Sequence, residues 1–196
     1  MDIPKEVKSV LQTLKKAGFD GYIVGGCVRD ILRGVEPKDW DVTTNAKPEE
    51  TQGLFKKSFY ENNFLTVTVQ TNSKNEKLKE IEITTYRSEA KYTDKRHPDE
   101  VKYAKTLEED LGRRDFTVNA LALGGLAPEV VDPFGGQEDL KNKVIRTVGE
   151  PKERFSEDAL RMLRAVRFAV VLGGWQIEAK TASAIKENAV WLQAIS

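Results

Sequence analysis

Apolar and polar residues alternate along the first part of the chain with the periods of both helices and strands. Apolar residues recur at helical spacing over 4–16, and Gly18 follows them. Strand-like alternation covers 64–70 and 78–86, with a polar turn between the two runs. Further short strands are predicted at 21–24, 38–44 and 129–132, and further helices begin near residues 27 and 48. This order of elements predicts a mixed α/β fold.

The middle of the chain has a weaker pattern. Residues 87–106 show no periodicity and predict a long polar loop. A helix that is broken near Gly112 is predicted over 106–123. The turn at 132–136, DPFGG, is interpreted first as structural.

The last part of the chain predicts helices. Ser156 stands where it can cap a long helix over 157–173, which two glycines end. A final helix is predicted from Glu178 onwards. We therefore predict two domains, a mixed α/β domain over 1–150 and a helical portion over 151–196.

Composition excludes several classes of protein. The single cysteine rules out disulfides within the chain and zinc ribbons, and any Ser-His-Asp relay would have to use His97. The sequence has neither a signal-peptide pattern nor an apolar run long enough to span a bilayer, so a cytoplasmic protein is expected. Acids and bases balance to zero net charge, but eight bases and four acids lie between 141 and 167. A basic surface is therefore expected near the C-terminal end.

Two aspartates suggest a metal site. Asp39 and Asp41 flank Trp40 on a predicted strand, so their carboxylates would share one face while Trp40 and Val42 face the other way. Neighbouring carboxylates repel unless a cation lies between them, and Mg²⁺ prefers such oxygen ligands. Glu82, on another predicted strand, is a plausible third ligand. An isolated D-x-D is more often an exposed strand edge, so the context decides.

A glycine pair lies upstream of these aspartates. Gly25 and Gly26 join a predicted strand to a predicted helix, where glycine lets the backbone approach a phosphate closely. Arg29 adds a planar donor group suited to phosphate oxygens. A phosphate-binding turn about ten residues before a carboxylate pair strengthens both interpretations.

These motifs resemble a known family. GGCVRD followed by PKDWDVTTNA is similar to the signature of class II tRNA nucleotidyltransferases and the related bacterial poly(A) polymerases, of the polymerase-β-like superfamily. The resemblance implies a nucleotidyltransferase head with a mixed sheet and flanking helices, followed by the start of a helical neck. It also implies that Asp39 and Asp41 hold two Mg²⁺ ions, with Glu82 beside them, and that Gly25, Gly26 and Arg29 bind the triphosphate.

A second motif, GRRDFTVNALAL, is similar to the RRDFTxNA signature of the same family. By this resemblance Arg113 and Arg114 bind the triphosphate, and Asp115 and Asn119 bind the ribose. In a helix Asp115 and Asn119 would lie on one face, four residues apart. The alternative interpretation is a surface network of ion pairs on a capped helix.

A third motif, EDALR, is similar to the family's E-D-x-x-R signature. By resemblance Glu157, Asp158 and Arg161 select the base, because an acceptor and a planar donor can read a Watson–Crick edge. Arg164 and Arg167 are predicted to contact phosphate or RNA. Taken alone, the motif fits an ordinary helix start with an internal salt bridge equally well.

The segment between the strands and the second motif resembles the flexible loop of CCA-adding enzymes. Asp94 and Arg96 are candidate loop contacts. Its presence disfavours an enzyme that adds only CC, whereas an A-adding enzyme or a poly(A) polymerase that uses ATP alone stays the alternative. One departure from the family lies in ENNFLTVTV, where Leu65 replaces a common glycine and Asn63 is the nearest residue suited to left-handed angles.

The resemblance also implies substrates and partners. CTP and ATP would be joined to the 3′ end of tRNA, and the body and tail domains that grip tRNA are expected to lie outside this chain. Two rival hypotheses remain open at this point: a small-molecule nucleotidyltransferase, which would not need the EDALR motif, and a silent nucleotide-binding or RNA-binding module, which would not need Asp39 and Asp41.

Overall fold

The computed structural model describes residues 3–61, 64–90, 92–124 and 129–195. Its strands are β1 (Tyr22–Val24), β2 (Asp41–Thr44), β3 (Ser58–Glu61), β4 (Thr66–Gln70), β5 (Glu80–Thr85), β6 (Arg87–Ala90), β7 (Glu100–Tyr103), β8 (Ala122–Gly124), β9 (Val130–Val131), β10 (Val144–Ile145) and β11 (Gln176–Ile177). Its α-helices are α1 (Lys5–Lys16), α2 (Gly26–Leu32), α3 (Pro48–Leu54), α4 (Leu107–Gly112), α5 (Gly136–Asn142), α6 (Pro151–Glu157), α7 (Leu160–Val171) and α8 (Ala179–Asn188).

A mixed sheet forms the centre of the molecule, as predicted. Across the described residues it has seven strands in the order β3-β4-β5-β2-β1-β8-β9. β2 and β5 are parallel, and the other neighbours are antiparallel. The parallel pair sets Asp41 directly opposite Glu82. Since paired residues point to the same side of a sheet, both carboxylates belong to one face.

The opposite face of the sheet carries the main core. Val42, Val67, Ile81 and Ile83 are at most 1% exposed and pack with the apolar face of α1. Burial of each such side chain stabilises the fold by about 1.5–3 kcal/mol. The strict alternation along β5 therefore fixes which of its side chains reach the polar face, Glu80, Glu82 and Thr84 among them.

The segment predicted as a long polar loop contains a hairpin, so that prediction was wrong in part. β6 pairs with β7 in antiparallel register, from Arg87 opposite Tyr103 to Ala90 opposite Glu100. The alternation signal is missing because the hairpin is not a face of the apolar core: its β7 residues are half-buried or exposed. Backbone hydrogen bonds and ion pairs stabilise it instead, and these leave no hydrophobic period in the sequence.

The long helix predicted over 157–173 is two helices. α6 ends at Glu157, and the chain extends at Asp158 with φ −133° and ψ 103° before α7 begins at Leu160. The Asp158 carboxylate accepts the Leu160 N–H at 2.9 Å. Ser156, the predicted cap, instead donates its hydroxyl to the Glu153 carbonyl at 2.8 Å. Aspartate competes with the helix for backbone N–H groups, and here it interrupts the helix.

The helix predicted over 106–123 is also wrong beyond residue 112. After α4, Phe116 makes a bridge with Thr147, a 3₁₀ turn covers Thr117–Asn119, and the chain enters β8. Phe116 and Val118 are fully buried in one cluster, and Ala120 and Ala122 in another. Because successive residues enter different cores, the run is apolar without a single helical face.

The last quarter of the chain is mostly helical but contributes one short strand. β11 pairs in parallel with β10, and α8 is followed by a 3₁₀ segment over Ala189–Ala194. A hydrophobic cluster joins Phe116 and Ile145 to Ala165 and Trp175. The division at residue 150 stays a prediction. No helix of the described ranges is both long and apolar enough to cross a membrane.

The turn before β4 departs from the family pattern in sequence but keeps an unusual backbone. Leu65 has φ +54°, in the left-handed region that favours glycine. Its carbonyl accepts the Thr85 N–H at 3.0 Å, which joins the turn to β5. The left-handed conformation costs a leucine about 1–2 kcal/mol. Asn63, the predicted alternative, lies outside the described residues.

Gly136 at the start of α5 tests the packing beneath the 3₁₀ turn. A Cβ there would overlap the Thr117 carbonyl and touch the Leu121 side chain. Gly136→Ala should therefore lower the free energy of unfolding by about 1–3 kcal/mol, measured by urea denaturation. Gly53→Ala in α3 is the matched control, because its Cβ would meet open space and alanine favours a helix. Equal unfolding midpoints for Gly136→Ala and the unchanged protein would contradict this packing.

Candidate active site

A cleft of about 500 Å³ opens between the polar sheet face, α2 and α7. We call it the arginine cleft. Its lining residues are Gly25, Gly26, Arg29, Asp41, Glu89, Arg113, Arg114, Asp115, Asn119, Asp158, Arg161, Arg164, Arg167 and Phe168. Six arginines face four carboxylates there, so the cleft is locally basic although the chain has no net charge. Such a field attracts anions.

The glycine turn brings the backbone close to this cleft. Gly25 has φ +77° at the junction of β1 and α2, a conformation that glycine adopts without strain. A Cβ at Gly25 would lie 2.9 Å from the Arg114 Nη1 and 3.8 Å from the Asp41 Oδ2. The missing side chain therefore leaves room for the Arg114 guanidinium and the Asp41 carboxylate beside the turn.

The two predicted metal ligands differ in their surroundings. Asp41 begins β2 and is half-buried. Asp39 was predicted to lie on the same strand, over 38–44, but β2 begins only at Asp41 and Asp39 lies in an exposed bend before it. Trp40 and Val42 are buried, as the alternation predicts. Burial raises the pKa of Asp41, and the charge of Asp39 adds to this, while Arg114 opposes it. A cation would relieve the same cost.

The carboxylates near Asp41 form an open site with oxygen ligands only. Such a site suits Mg²⁺ better than a metal that needs all its ligands from the protein. Among the residues that the structure describes, no group of three His, Cys, Asp or Glu side chains is assembled around a metal position. Mg²⁺ commonly takes only one or two carboxylates and completes its shell with water and substrate phosphates. Asp39 and Asp41, with Glu82 on the neighbouring strand, offer oxygen ligands only.

A buried carboxylate that the sequence did not single out holds the paired arginines. Asp110 on α4 has no exposed surface, and it accepts the Arg113 Nε at 3.0 Å and lies 3.6 Å from the Arg114 Nη2. It also accepts the Thr43 hydroxyl and the Arg87 N–H. Burial alone would raise the pKa of Asp110, but Arg113 and Arg114 outweigh it and the pKa is lowered. The available signal in the sequence was that Asp110 lies three and four residues before Arg113 and Arg114, at helical spacing for ion pairs.

Glu89 is a second residue of the cleft that sequence reasoning missed. Its carboxylate pairs with Arg113 at 2.9 Å and Arg87 at 3.1 Å, and it accepts the Tyr92 hydroxyl at 2.8 Å. Burial acts to raise the pKa of Glu89, but Arg113 and Arg87 outweigh it and the pKa is lowered. Burial also lowers the pKa of Arg87 to about 10, with a contribution from Arg113. Glu89 reaches the cleft through the hairpin β6–β7, which has no periodic signal.

The predicted ribose pair is in contact, although the local structure is not helical. The Asn119 Nδ2 donates to the Asp115 Oδ1 at 3.0 Å. The Asn119 Oδ1 accepts the Arg29 Nη1 at 2.8 Å. Arg164 donates two hydrogen bonds to the other Asp115 oxygen, at 2.8 and 2.6 Å. The structure therefore links triphosphate and ribose candidates through direct hydrogen bonds.

The predicted base-selecting residues surround the break between α6 and α7, not one helix face. Asp158 and Arg161 line the arginine cleft, whereas Glu157 does not. Glu157 instead pairs with Arg154 at 2.6 Å and Arg161 at 2.9 Å. Arg161 is 7% exposed and also donates to the Arg113 carbonyl at 3.2 Å. Burial raises the pKa of Asp158 and of Glu157, against the charges of nearby arginines.

The remaining predicted residues lie at the edge of the site or outside it. Arg167 is exposed on the rim of the arginine cleft. Asp94 and Arg96 do not line the cleft. Asp94 accepts N–H groups of His97 and Arg96 and bonds the His97 ring, which together lower the pKa of Asp94 to about 2. The Lys95 carbonyl accepts the Ala159 N–H at 2.9 Å, so this loop touches the α6–α7 break.

Comparison with known proteins places this geometry in a family. Residues 21–146 match the poly A polymerase head domain family. The chain belongs to this family. The match spans β1 to β10 and therefore includes the glycine turn, Asp39, Asp41 and the Arg113–Asn119 stretch. The mixed α/β fold and the family resemblance predicted from the sequence are confirmed.

Relatives in this family are CCA-adding enzymes. The chain is 50% identical over 196 residues to the CCA-adding enzyme of Lactobacillus helveticus, covering 100% of this chain and 47% of that one. It is similar to the crystal structure of the Bacillus stearothermophilus CCA-adding enzyme in complex with CTP, with a TM-score of 0.87 and 41% identity over 100% of this chain and 46% of that one.

A further similar structure is described as a tRNA nucleotidyltransferase complexed with a primer tRNA and an incoming ATP analog. Its TM-score is 0.75 at 34% identity, over 92% of this chain and 50% of that one. The chain thus spans about half the length of the relatives that it matches.

The raised pKa of Asp41 predicts a stability cost at the site. A buried carboxylate with a raised pKa destabilises the fold above that pKa, and the cost disappears as the pH falls through it. Asp41→Asn should therefore raise the free energy of unfolding at pH 7 by about 1 kcal/mol, in the absence of Mg²⁺, and the gain should shrink on acidification. Urea denaturation at several pH values measures this. The exposed Asp39→Asn is the matched control, and a larger gain there would contradict the assignment.

Proposed function

We propose that this chain is the head, with part of the neck, of a tRNA nucleotidyltransferase that adds C and A residues to the 3′ end of tRNA. CTP and ATP are the nucleotide donors, and pyrophosphate is released. The observation that carries this proposal is the arginine cleft. It unites Asp41, three arginines near the glycine turn, the Asp115–Asn119 pair and the Asp158–Arg161 pair in one space. The likeness to enzymes in complexes with CTP and with tRNA supports it.

The proposal assigns two Mg²⁺ ions to Asp39 and Asp41, with Glu82 on the neighbouring strand. The oxygen-only donors and the raised pKa of Asp41 support this assignment. When bound, such ions lower the pKa of the RNA 3′ hydroxyl and neutralise charge on the leaving pyrophosphate. The ions are thus expected to neutralise negative charge, and the residues of the chain to position the nucleotide and the RNA 3′ end.

In the transfer step the RNA 3′ hydroxyl would lose its proton to solvent water, and its oxygen would bond to the α-phosphorus of the nucleotide. The bond from the α-phosphorus to the bridging oxygen breaks, and that oxygen leaves with the pyrophosphate. Arg29, Arg113 and Arg114 would hold the triphosphate oxygens, since guanidinium groups match phosphate geometry. The glycine turn would let the triphosphate lie against the backbone. Arg164 and Arg167, further along α7, would contact phosphate or RNA.

The Asp158–Arg161 pair supports selection of C and A. Cytosine and adenine both present an amino donor beside a ring-nitrogen acceptor on the Watson–Crick edge, which a carboxylate and a guanidinium can match. Uracil and guanine present a carbonyl acceptor and an N–H donor at these positions and would leave both side chains mismatched. Glu157 would act by holding Arg161 through the 2.9 Å ion pair.

Domain boundaries and location complete the proposal. We assign residues 1–150 to the catalytic head and residues 151–196 to the neck portion that carries the base-selecting motif. Domains that grip tRNA would lie beyond the half of the relatives' length that this chain spans. A cytoplasmic location follows from the substrates, and Asp94 and Arg96 would belong to the loop that accompanies the change from C to A.

Incorporation of nucleotides tests the proposal directly. The chain is incubated with Mg²⁺, labelled CTP or ATP, and tRNA that ends either before CCA or after CC. We expect CTP incorporation followed by ATP, and loss of both in the Asp39→Asn/Asp41→Asn variant, because the carboxylates that hold Mg²⁺ are gone. The exposed pair Glu36→Gln/Glu76→Gln is the charge-matched control and should retain full incorporation.

Each other outcome has a distinct meaning. ATP incorporation onto the CC end alone would move the assignment to an A-adding enzyme or a poly(A) polymerase. Mg²⁺-dependent binding of both nucleotides without incorporation would indicate a head that lacks the domains that hold RNA. If neither nucleotide bound, the catalytic assignment would be wrong.

A second prediction concerns the base. Asp158→Asn replaces an acceptor-only group with an amide that also donates, so the preference for CTP and ATP over UTP should fall about tenfold or more. Competition binding with the three nucleotides measures the ratio. Asp20→Asn, an exposed change outside the arginine cleft, is the control. An unchanged ratio in Asp158→Asn would remove Asp158 from base selection.

A further inference from the structure

An aromatic ring in the arginine cleft contacts two of its arginines. Phe168 on α7 lies with its ring centroid 5.4 Å from the Arg29 guanidinium carbon and 5.2 Å from that of Arg164. The ring is half-buried, and it meets the fully buried Phe116 edge to face, with centroids 5.8 Å apart at 88°. Both cations are within the range of a cation–π interaction. Phe168 has no part in the transfer step described above.

The same two arginines are joined by hydrogen bonds on their other side. Arg29 donates to Asn119, Asn119 donates to Asp115, and Arg164 donates to Asp115, at distances of 2.6–3.0 Å. Together with Phe168 these side chains form a closed ring of five contacts. Phe168 closes it, because its ring lies against both arginines.

We propose that Phe168 is a positioning residue that holds Arg29 and Arg164 in their binding geometry before the nucleotide arrives. The proposal rests on the proposed function, since it assigns the triphosphate to Arg29 and the ribose to Asp115 and Asn119. Through the closed ring, the phosphate-binding and ribose-binding groups are set relative to one another. Phe168 itself is fixed by α7 and by Phe116.

The energetic reason is the entropy of arginine. Ordering a long side chain on binding costs conformational entropy, and two arginines are involved. Arg29 is further held by Asp30, at 2.9 and 3.0 Å, whereas the Arg164 side chain is 40% exposed and depends more on the ring and on Asp115. When these contacts exist before binding, the arginines are already ordered, and their loss of entropy does not weaken nucleotide binding. Removal of the aromatic face should therefore weaken nucleotide binding without removing any of the polar groups assigned above to the nucleotide.

A packing role would give a different result. Phe168 also borders the hydrophobic cluster around Phe116 and Trp175, so a leucine could preserve much of the apolar contact. Leucine and methionine lack the negative ring face that attracts a guanidinium, while tyrosine retains it. The comparison of leucine or methionine with tyrosine therefore separates positioning of arginines from filling of space.

The test measures the equilibrium binding of Mg²⁺-ATP and of Mg²⁺-CTP to the full chain by isothermal titration calorimetry. Phe168→Leu should raise both dissociation constants about tenfold, and Phe168→Tyr should stay within about threefold of the unchanged protein. Phe55→Leu, which alters a partly buried phenylalanine beside the main core, is the matched control and should bind normally. Inorganic tripolyphosphate should lose less affinity than ATP, since it does not reach Asp115 or Asn119.

The outcomes separate this inference from the proposed function. Normal ATP binding by Phe168→Leu would overturn the positioning role and leave the proposed function standing. A loss in Phe168→Tyr as large as in Phe168→Leu would also overturn it. Absence of nucleotide binding by the unchanged protein would overturn both. If Phe168→Leu lowers the melting temperature strongly, Phe168→Met, whose longer and more flexible side chain adapts to irregular space, replaces it with the same expected loss.

Discussion

The buried carboxylate of Asp110 is the interaction on which the rest of the site depends. It has no exposed surface, and it contacts both arginines of the second motif, the Thr43 hydroxyl on β2 and the Arg87 N–H at the start of β6. An unpaired charge at such a position would cost several kcal/mol. The guanidinium groups that offset this cost are thereby held at the sheet face. One desolvated acid thus sets the position of two cations and joins α4 to β2 and β6.

The arginines that result from this arrangement repel one another. Arg87 has its pKa lowered partly by the charge of Arg113, and Glu89 lies between the two as a shared counter-ion. A cleft with six arginines against four carboxylates retains a positive field that a bound triphosphate would reduce. Because the groups are fixed before binding, little reorganisation is needed when the anion enters. Zero net charge over the chain and a basic cleft are therefore compatible.

The sequence predicted the orientation of those site residues that lie on strands with alternating apolar and polar residues. The alternation of Ile81 and Ile83 with Glu80 and Glu82 is enough to orient β5, and the sheet register then sets Glu82 beside Asp41. The register itself depends on which strands become neighbours, and no local pattern reveals that β2 pairs with β5 in parallel. Asp39 shows the limit of the rule, since the strand begins three residues later than the predicted start at residue 38.

Residues outside regular periodicity were harder to predict. Glu89 reaches the cleft from a hairpin whose stability comes from backbone hydrogen bonds and ion pairs, which leave no hydrophobic period. Phe168 falls within the helix predicted over 157–173 as one more apolar residue, and its two arginine partners come from α2 and from its own helix. Such contacts depend on how distant elements pack, and propensity carries no information about that.

For Asp115 and Asn119 the predicted contact is correct, but the helix from which it was predicted is not present. Helical spacing predicted that the two side chains would meet, and they do at 3.0 Å, but the chain between them is a bend, a bridge and a 3₁₀ turn. At Leu65 the backbone adopts φ +54°, which leucine disfavours. In this conformation the Leu65 carbonyl accepts the Thr85 N–H. In both places the pairing of β-strands and the burial of neighbouring apolar residues determine the backbone. Local preference then contributes about 1–2 kcal/mol, which the surrounding sheet outweighs.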